Sequence, residues 1–341
     1  MKKTLCSFLV AGLVLIGFGL KEEATPKPVS GSKEWPTAIS ISTPPVRTGA
    51  YGVNVALCSL ITKYLGIPCT VEGTPGDRAG ITILAKKESE FANASTLPAW
   101  EAYRGIGEFA KLGRVPLRHV AGTHAVCFYI TTLAKSGIKS IEDIRGKRFM
   151  YLNPGAVLLY MSAEAVLEAY GLKGHVKVLK TSGLRESISA LIEGRTDVMG
   201  YPSGIGSAAF IELASTKPTH FIPLDEAGIK RIRKKSPFFS GQVLPAGTYK
   251  GQNRDVLCLG ALTSTVTRDD IPESLVYAVV KMLWEHIDEF HALHPAAKEW
   301  SMGDLLELRI APWHPGAIRY YKEQGLWTPE LDKVQKQLLS E

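Results

Sequence analysis

Apolar and polar positions along this chain fall into a strand-then-helix rhythm that starts twice. Residues 37–43 (Thr-Ala-Ile-Ser-Ile-Ser-Thr) alternate with period two, which predicts a strand, and after a loop containing Pro and Gly the apolar positions of 50–65 recur at helical spacing. The pair repeats as a strand over 69–72, a helix over 78–87, a strand over 91–94 and a helix over 100–103. One long strand is predicted over 117–133, where Val120, Val126, Phe128, Tyr129 and Ile130 lie. The rhythm then restarts, with strands over 147–152, 176–179 and 197–201 and helices over 159–170 and 184–193. A second long strand is predicted over 256–266, followed by an amphipathic helix over 272–291. Such alternation favours a parallel sheet flanked by helices, so the fold class is α/β. The extended segments near 125–133 and 256–266 bracket the second unit, as expected of two lobes hinged by two strands. The expected division is 37–124 plus 262–341 for lobe 1 and 125–261 for lobe 2.

The amino end changes the picture. Met1-Lys2-Lys3 precedes an apolar run from Leu5 to Leu20, a positive start and a hydrophobic stretch that read as an export signal over 1–20, cleaved or retained as a single anchor. Residues 21–36, rich in Glu, Pro, Lys, Ser and Gly, read as a flexible tether. The body is therefore expected outside the cytoplasm.

With 341 residues, 45% hydrophobic and 21% charged, the chain has the composition of a globular protein long enough for two packed lobes. The formal charge is +7. One basic run, Lys230-Arg231-Ile232-Arg233-Lys234-Lys235, suits the C-terminal end of a solvated helix better than a nucleic-acid site. Cys58, Cys69, Cys127 and Cys258 contain no Cys-x-x-Cys pair, so zinc and thioredoxin-like chemistry lack their spacing. Cys58 and Cys69 either bridge a helix to the following strand or remain buried thiols.

In open α/β sheets, ligands bind beyond the carboxyl ends of the strands, where loops and helix N-termini converge. Five segments qualify. Thr43, Arg47, Thr48, Gly49 and Tyr51 lie where a strand runs into a helix whose free N–H groups suit a carboxylate, with Arg47 either adding a bidentate cation or facing solvent from the loop. Asn93, Ser95 and Thr96 end another strand, in positions that N-cap and turn chemistry also explains. Asn153 and Gly155, with Tyr160 beyond, precede a third helix. Thr181 and Ser182 form a fourth segment, and Tyr201 and Ser203 a fifth that faces the first across the cleft.

Other chemistries fit less well. Gly204-Ile205-Gly206-Ser207-Ala208-Ala209 matches Gly-x-Gly-x-x-Ala after a strand, with Asp225 some twenty residues on, the pattern of a nucleotide oxidoreductase; Pro202 and the extracytoplasmic setting argue against it. His286, His291 and His294 lack metal-ligand spacing and read as surface histidines. His314 has no Gly-x-Ser-x-Gly turn to partner it and is expected to order the turn before a helix. No enzyme activity and no cofactor are expected. A receptor using the same cleft for sensing is the remaining alternative.

Several segments carry a resemblance. Ser136-Gly137-Ile138-Lys139-Ser140-Ile141-Glu142-Asp143-Ile144-Arg145-Gly146-Lys147-Arg148, Pro245-Ala246-Gly247-Thr248-Tyr249-Lys250-Gly251-Gln252 and His314-Pro315-Gly316-Ala317-Ile318-Arg319-Tyr320-Tyr321 resemble the TAXI family of TRAP-transporter solute receptors. Ala102-Tyr103-Arg104-Gly105-Ile106-Gly107-Glu108-Phe109 adds to it, and the resemblance spans nearly everything after the tether. It implies a two-lobed periplasmic-binding-protein-like fold of type II, which closes on glutamate, 2-oxoglutarate or a similar organic anion. It also implies docking on the permease subunits of an ion-driven transporter; the chain itself is expected to be a monomer. Two departures stand out: Pro45, Val46 and Arg47 precede Thr48-Gly49-Ala50-Tyr51, and Asn153-Pro154-Gly155-Ala156-Val157 replaces a segment that carries a hydroxyl in the family. The expected ligand therefore keeps a carboxylate and is less polar than glutamate, since unpaired polar groups facing Ala156 and Val157 would cost about 1 to 3 kcal/mol each.

Overall fold

A computed structural model describes residues 34–46, 48–153, 156–300, 302 and 308–341, without the side chains of 123 and 124. The export signal, most of the tether, Arg47 and Gly155 lie outside the described residues.

The first unit forms as its periodicity predicts. Strands β1 (Ile39–Thr43), β2 (Cys69–Gly73) and β3 (Phe91–Ser95) are interleaved with helices α1 (Gly49–Leu60) and α2 (Asp77–Ala85), and α3 (Thr96–Arg104) follows β3 directly. The helix predicted over 50–65 changes character at Leu60 and finishes as a wide turn over Ile61–Leu65, ended by Gly66 at φ 70°. Only a residue without a Cβ enters that left-handed region readily, so glycine stops the helix there.

β4 (Leu117–Leu133) leads into the second unit. It holds β5 (Arg148–Leu152), α4 (Val157–Ala169), β6 (Lys177–Lys180), α5 (Leu184–Ile192), β7 (Val198–Gly204) and α6 (Ala208–Thr216), followed by β8 (Thr219–Phe221), α7 (Glu226–Lys235) and β9 (Ser240–Leu244). β10 (Val256–Arg268) returns to the first unit, which α8 (Glu273–Glu285), α9 (Ile287–Leu293), α10 (Pro315–Glu323) and α11 (Pro329–Ser340) complete. The helix predicted over 272–291 is thus two. It breaks at His286, whose ring stacks on Tyr64 with centroids 3.7 Å apart.

The principal strand order is β2-β1-β3-β10-β4-β7-β5-β6. β1 runs parallel to β2 and β3, and β5 parallel to β6 and β7, so each unit has its own parallel sheet. β4 and β10 join them. β10 pairs with β3 through residues 263–267 and with β9 through 256–260, while β4 pairs with β10 and, further on, with β7 through 126–131. Register shifts between Leu262 and Ser264 and between Thr265 and Val266 mark bulges, which bend and twist paired strands. The two extended segments expected to hinge the lobes are these antiparallel partners.

Three apolar clusters fill the molecule. One lies under α1, α8 and α10, with Trp300, Phe290 and Tyr321 buried. A second is an aromatic nest in the second unit, where Tyr129, Phe210, Phe221 and Tyr249 meet edge to face or stacked. The third packs α2 and α3 in one unit and α4 and α7 in the other, and Phe238 touches Trp100 between them. Cys58 of α1 is disulfide-bonded to Cys69 at the start of β2, which resolves the two alternatives for that pair. His314 caps α10: its Nδ1 accepts the N–H of Gly316 (3.2 Å) and its Nε2 faces the carbonyl of Ile271 (3.0 Å). Nδ1 is thereby the acceptor and Nε2 carries the hydrogen.

Candidate functional site

The carboxyl ends of β1 and β3 in one unit and of β5, β6 and β7 in the other point toward the crossing of β4 and β10, and the predicted ligand segments lie at those ends. On the first unit, Thr48 N-caps α1. Its backbone is extended (φ −95°, ψ 151°), its hydroxyl accepts the N–H of Tyr51 (3.3 Å) and donates to the carbonyl of Pro45 (2.8 Å). The N–H groups of Gly49 and Ala50 have no acceptor among the described residues, as befits a first turn. Gly49 and Gly52 let the turn Pro295–Glu299 lie close: a Cβ on Gly49 would stand 3.4 Å from that of Ala296, and one on Gly52 would strike the His294 ring at 2.4 Å.

Several predicted residues are committed to the fold. Thr43 is fully buried; its hydroxyl accepts from the Asn54 amide (3.2 Å) and its carbonyl from the N–H (2.8 Å) and hydroxyl (3.0 Å) of Thr74. Thr96 is buried too, and its hydroxyl donates to the carbonyl of Phe238 (2.7 Å), a bond between the two units. Asn93 and Ser95 converge on Asp77, which accepts the Ser95 N–H (2.9 Å), the Ser95 hydroxyl and the Asn93 amide (3.3 Å). Asp77 was not among the predicted residues. The signal was present as a Gly-Asp pair opening an amphipathic stretch, since an acid in the first turn meets the positive end of the helix.

On the second unit, Asn153 follows β5 and its carbonyl accepts the Ala156 N–H (2.9 Å), the turn that starts α4. No side chain caps α4, and Val157 and Tyr160 in its first turn are each 40% exposed, so this edge presents apolar surface. Thr181 is buried in its own turn, with its hydroxyl on Gly183 and Ser187, and the Ser182 N–H donates to Glu186. Thr181 thus satisfies the turn, whereas Ser182 gives its N–H to the turn and is exposed. Tyr201 reaches toward the same turn, its hydroxyl 4.0 Å from where a Cβ of Gly183 would sit. Ser203 pairs in register with Cys127 of β4, which places it at the crossing.

The Gly204-to-Ala209 segment does join a strand to a helix, β7 to α6. Its Gly206 takes a left-handed turn (φ 75°) into α6. Beside the aromatic nest, burial pushes the Cys127 thiol up to about 12 and raises Cys258 well above its ordinary value, so neither serves as a nucleophile at neutral pH. His291 and His294 are also committed, the first to the Trp300 carbonyl (3.2 Å) and the second to capping Ala296 (3.2 Å). No group of three or more His, Cys, Asp or Glu suited to a metal ion occurs among the described residues. No helix among them is long and apolar enough to cross a membrane.

Among solved structures, the chain is similar to a TctC solute binding protein from Polaromonas, at 13% identity over 85% of this chain and 97% of that one, with a TM-score of 0.55. It also matches substrate binding domain 2 of GlnP from Lactococcus lactis in an open conformation (12% identity, 80% and 97% covered, TM-score 0.44). A third match is the probable amino-acid ABC transporter extracellular-binding protein YtmK from Bacillus subtilis (17% identity, 78% and 98% covered, TM-score 0.45). The first of these carries the assignment of a two-lobed periplasmic-binding-protein-like fold. A family model matches residues 41–325, and the chain belongs to the NMT1-like family.

Proposed function

We propose that this protein is an extracytoplasmic solute receptor of a TRAP-type transporter, of the TAXI kind, that binds a small organic carboxylate between its lobes and hands it to membrane permease subunits. The lobes are residues 37–124 with 262–341, and 125–261. The observation that carries the reading is the start of α1: a 12-residue helix whose cap, Thr48, leaves the Gly49 and Ala50 N–H groups without acceptors among the described residues, at the end of a parallel sheet. A helix N-terminus with unpaired N–H groups and a partial positive charge is suited to a carboxylate. On the second unit, the apolar first turn of α4, with Val157 and Tyr160 and with an N-cap residue, Ala156, that makes no side-chain cap, suits a ligand body that is branched or aromatic. Thr48, Gly49, Tyr51, Tyr160, Tyr201 and Ser203 are the proposed contacts; Thr43, Asn93, Ser95, Thr96 and Thr181 hold the surrounding loops in place.

Closure on the ligand would proceed by bending of β4 and β10, whose bulges concentrate flexure at the crossing. Calorimetry and thermal shift of the purified protein against a panel of carboxylic acids test the reading. Stabilisation by aliphatic or aromatic carboxylates, reduced by Thr48→Pro or Val157→Asp, is expected. Strong stabilisation by glutamate with none by apolar carboxylates would overturn the assignment of ligand class, and no response to any organic acid would overturn the receptor reading itself.

A further inference from the structure

The chain's net positive charge is not shared between its two units. Residues 125–261 hold 18 Lys and Arg against 11 Asp and Glu, a balance of +7, whereas 37–124 with 262–341 hold 17 against 19, a balance of −2. The densest part is the end of α7. Five cations lie within six residues there, where the helix dipole supplies only about half a negative charge to be met.

Their surroundings divide four of these five. Lys235 pairs with Glu168 (2.5 Å), and Arg231 lies over the Tyr170 ring and donates to the carbonyl of Ala169 (2.8 Å). Lys230 and Lys234 are exposed and have no acidic partner among the described residues. Between α4 and α7 lies a hollow of about 230 Å³, with Ala165, Ala169 and Ile232 lining it and Arg231, Lys234, Lys235 and the Lys235 partner Glu168 at its edge. On the edge strand of the same unit, Lys177 and Lys180 are exposed as well. A rim with two cations, Arg231 and Lys234, in excess of its one ion pair, around a small apolar hollow, matches a phosphodiester headgroup with the first carbons of its chains.

From this we infer that the α4–α7 face of the second unit docks on an anionic phospholipid surface. Clusters of four or more Lys and Arg on one helix face are drawn to such surfaces, within a Debye length and with strong salt dependence. The contact would hold the lobe that carries α7 against the bilayer.

Flotation with vesicles tests this on the exported protein, using phosphatidylcholine alone and phosphatidylcholine containing one-third phosphatidylglycerol. Binding is expected only to the anionic vesicles, at low salt, and it should fall at least tenfold in the double variant Lys230→Glu, Lys234→Glu. A control double variant, Lys333→Glu with Lys336→Glu on α11, makes the same change in net charge on exposed residues of the other unit and should bind as the unaltered protein does. Unchanged thermal midpoints in both variants show that each has folded. Equal binding to neutral vesicles, no binding to either, or equal losses in both double variants would overturn the proposal. So would a Lys230 and Lys234 variant that binds vesicles normally yet fails in solute uptake, which would give the patch to an acidic protein surface instead.

Discussion

The Asp77 carboxylate accepts the backbone N–H of Ser95 at 2.9 Å, tying the first turn of α2 to the last residue of β3. The same carboxylate receives the Ser95 hydroxyl and the Asn93 amide, so one side chain fixes two residues at the end of β3.

Replacing Asp77 by Ala would leave the Ser95 N–H and the Asn93 amide without their acceptor in a partly buried site. A destabilisation of about 1 to 3 kcal/mol is expected, read as a lower urea midpoint with an unchanged slope. Asp77→Asn, which keeps an acceptor oxygen, should recover part of it. A midpoint that does not move in either variant would show that the convergence on Asp77 is energetically idle.

Gly316 is fixed by sterics rather than by conformation. A Cβ there would stand 2.3 Å from the Glu273 carbonyl oxygen and 2.6 Å from the Tyr277 nitrogen, both backbone atoms of the neighbouring α8. Gly316→Ala must push α10 away from α8, and overpacking of this kind costs about 1 to 3 kcal/mol, occasionally more. The expected result is a thermal midpoint several degrees lower; Gly174→Ala, with open space around its Cβ but φ 77°, serves as a comparison in which only backbone strain acts.

The disulfide between Cys58 and Cys69 closes a short loop around the end of α1 and the start of β2. Constraining such a loop in the unfolded chain contributes about 2 to 3 kcal/mol. The double variant Cys58→Ser, Cys69→Ser should therefore melt lower than the oxidised protein and no longer respond to dithiothreitol. The buried Cys127 and Cys258 should label with iodoacetamide only after unfolding.

How far the sequence disclosed this molecule depends on the range of the forces involved. The alternation in 37–43 reflects the period of two with which a strand presents its side chains to opposite faces, and the long apolar runs of β4 and β10 reflect strands buried on both faces; these local patterns mark the parallel units and the paired crossings. The division of 272–291 into two helices has no local cause, because it coincides with His286 stacking on Tyr64, more than two hundred residues earlier. The site divides in the same way. Polar residues at strand ends are visible as types, but whether such a residue faces a ligand or the fold depends on remote partners: Thr43 is taken by Asn54 and Thr74, and Thr96 by Phe238. Asp77 shows the converse, a residue whose importance comes from what β3 brings to it.

The buried histidines set the response to acid. His119 is fully enclosed, with Nδ1 3.0 Å from the Ser264 hydroxyl and its ring against Trp313, and burial lowers its pKa to about 3. His314, capping α10, is lowered to about 4, again chiefly by burial. Both are neutral in the folded protein, while in the unfolded chain they titrate near 6.5. Below that value the unfolded state binds protons that the folded state refuses, so stability is complete above pH 6.5 and declines as pH falls toward the folded values. Each histidine should remove about 2 kcal/mol between pH 7 and pH 5, from roughly 1.4 kcal/mol per pH unit. Asp197 and Asp270, whose folded pKa values lie below 3.8, contribute their own loss only at lower pH, while Glu299, raised above 4.5 by burial, acts in the opposite sense at the acid end of the window. His314→Asn keeps an oxygen able to accept the Gly316 N–H and removes the titration. Urea unfolding at pH 7 and pH 5 should then show a loss about half that of the unaltered protein; an equal loss in the two would mean that His314 is not among the groups that resist protonation.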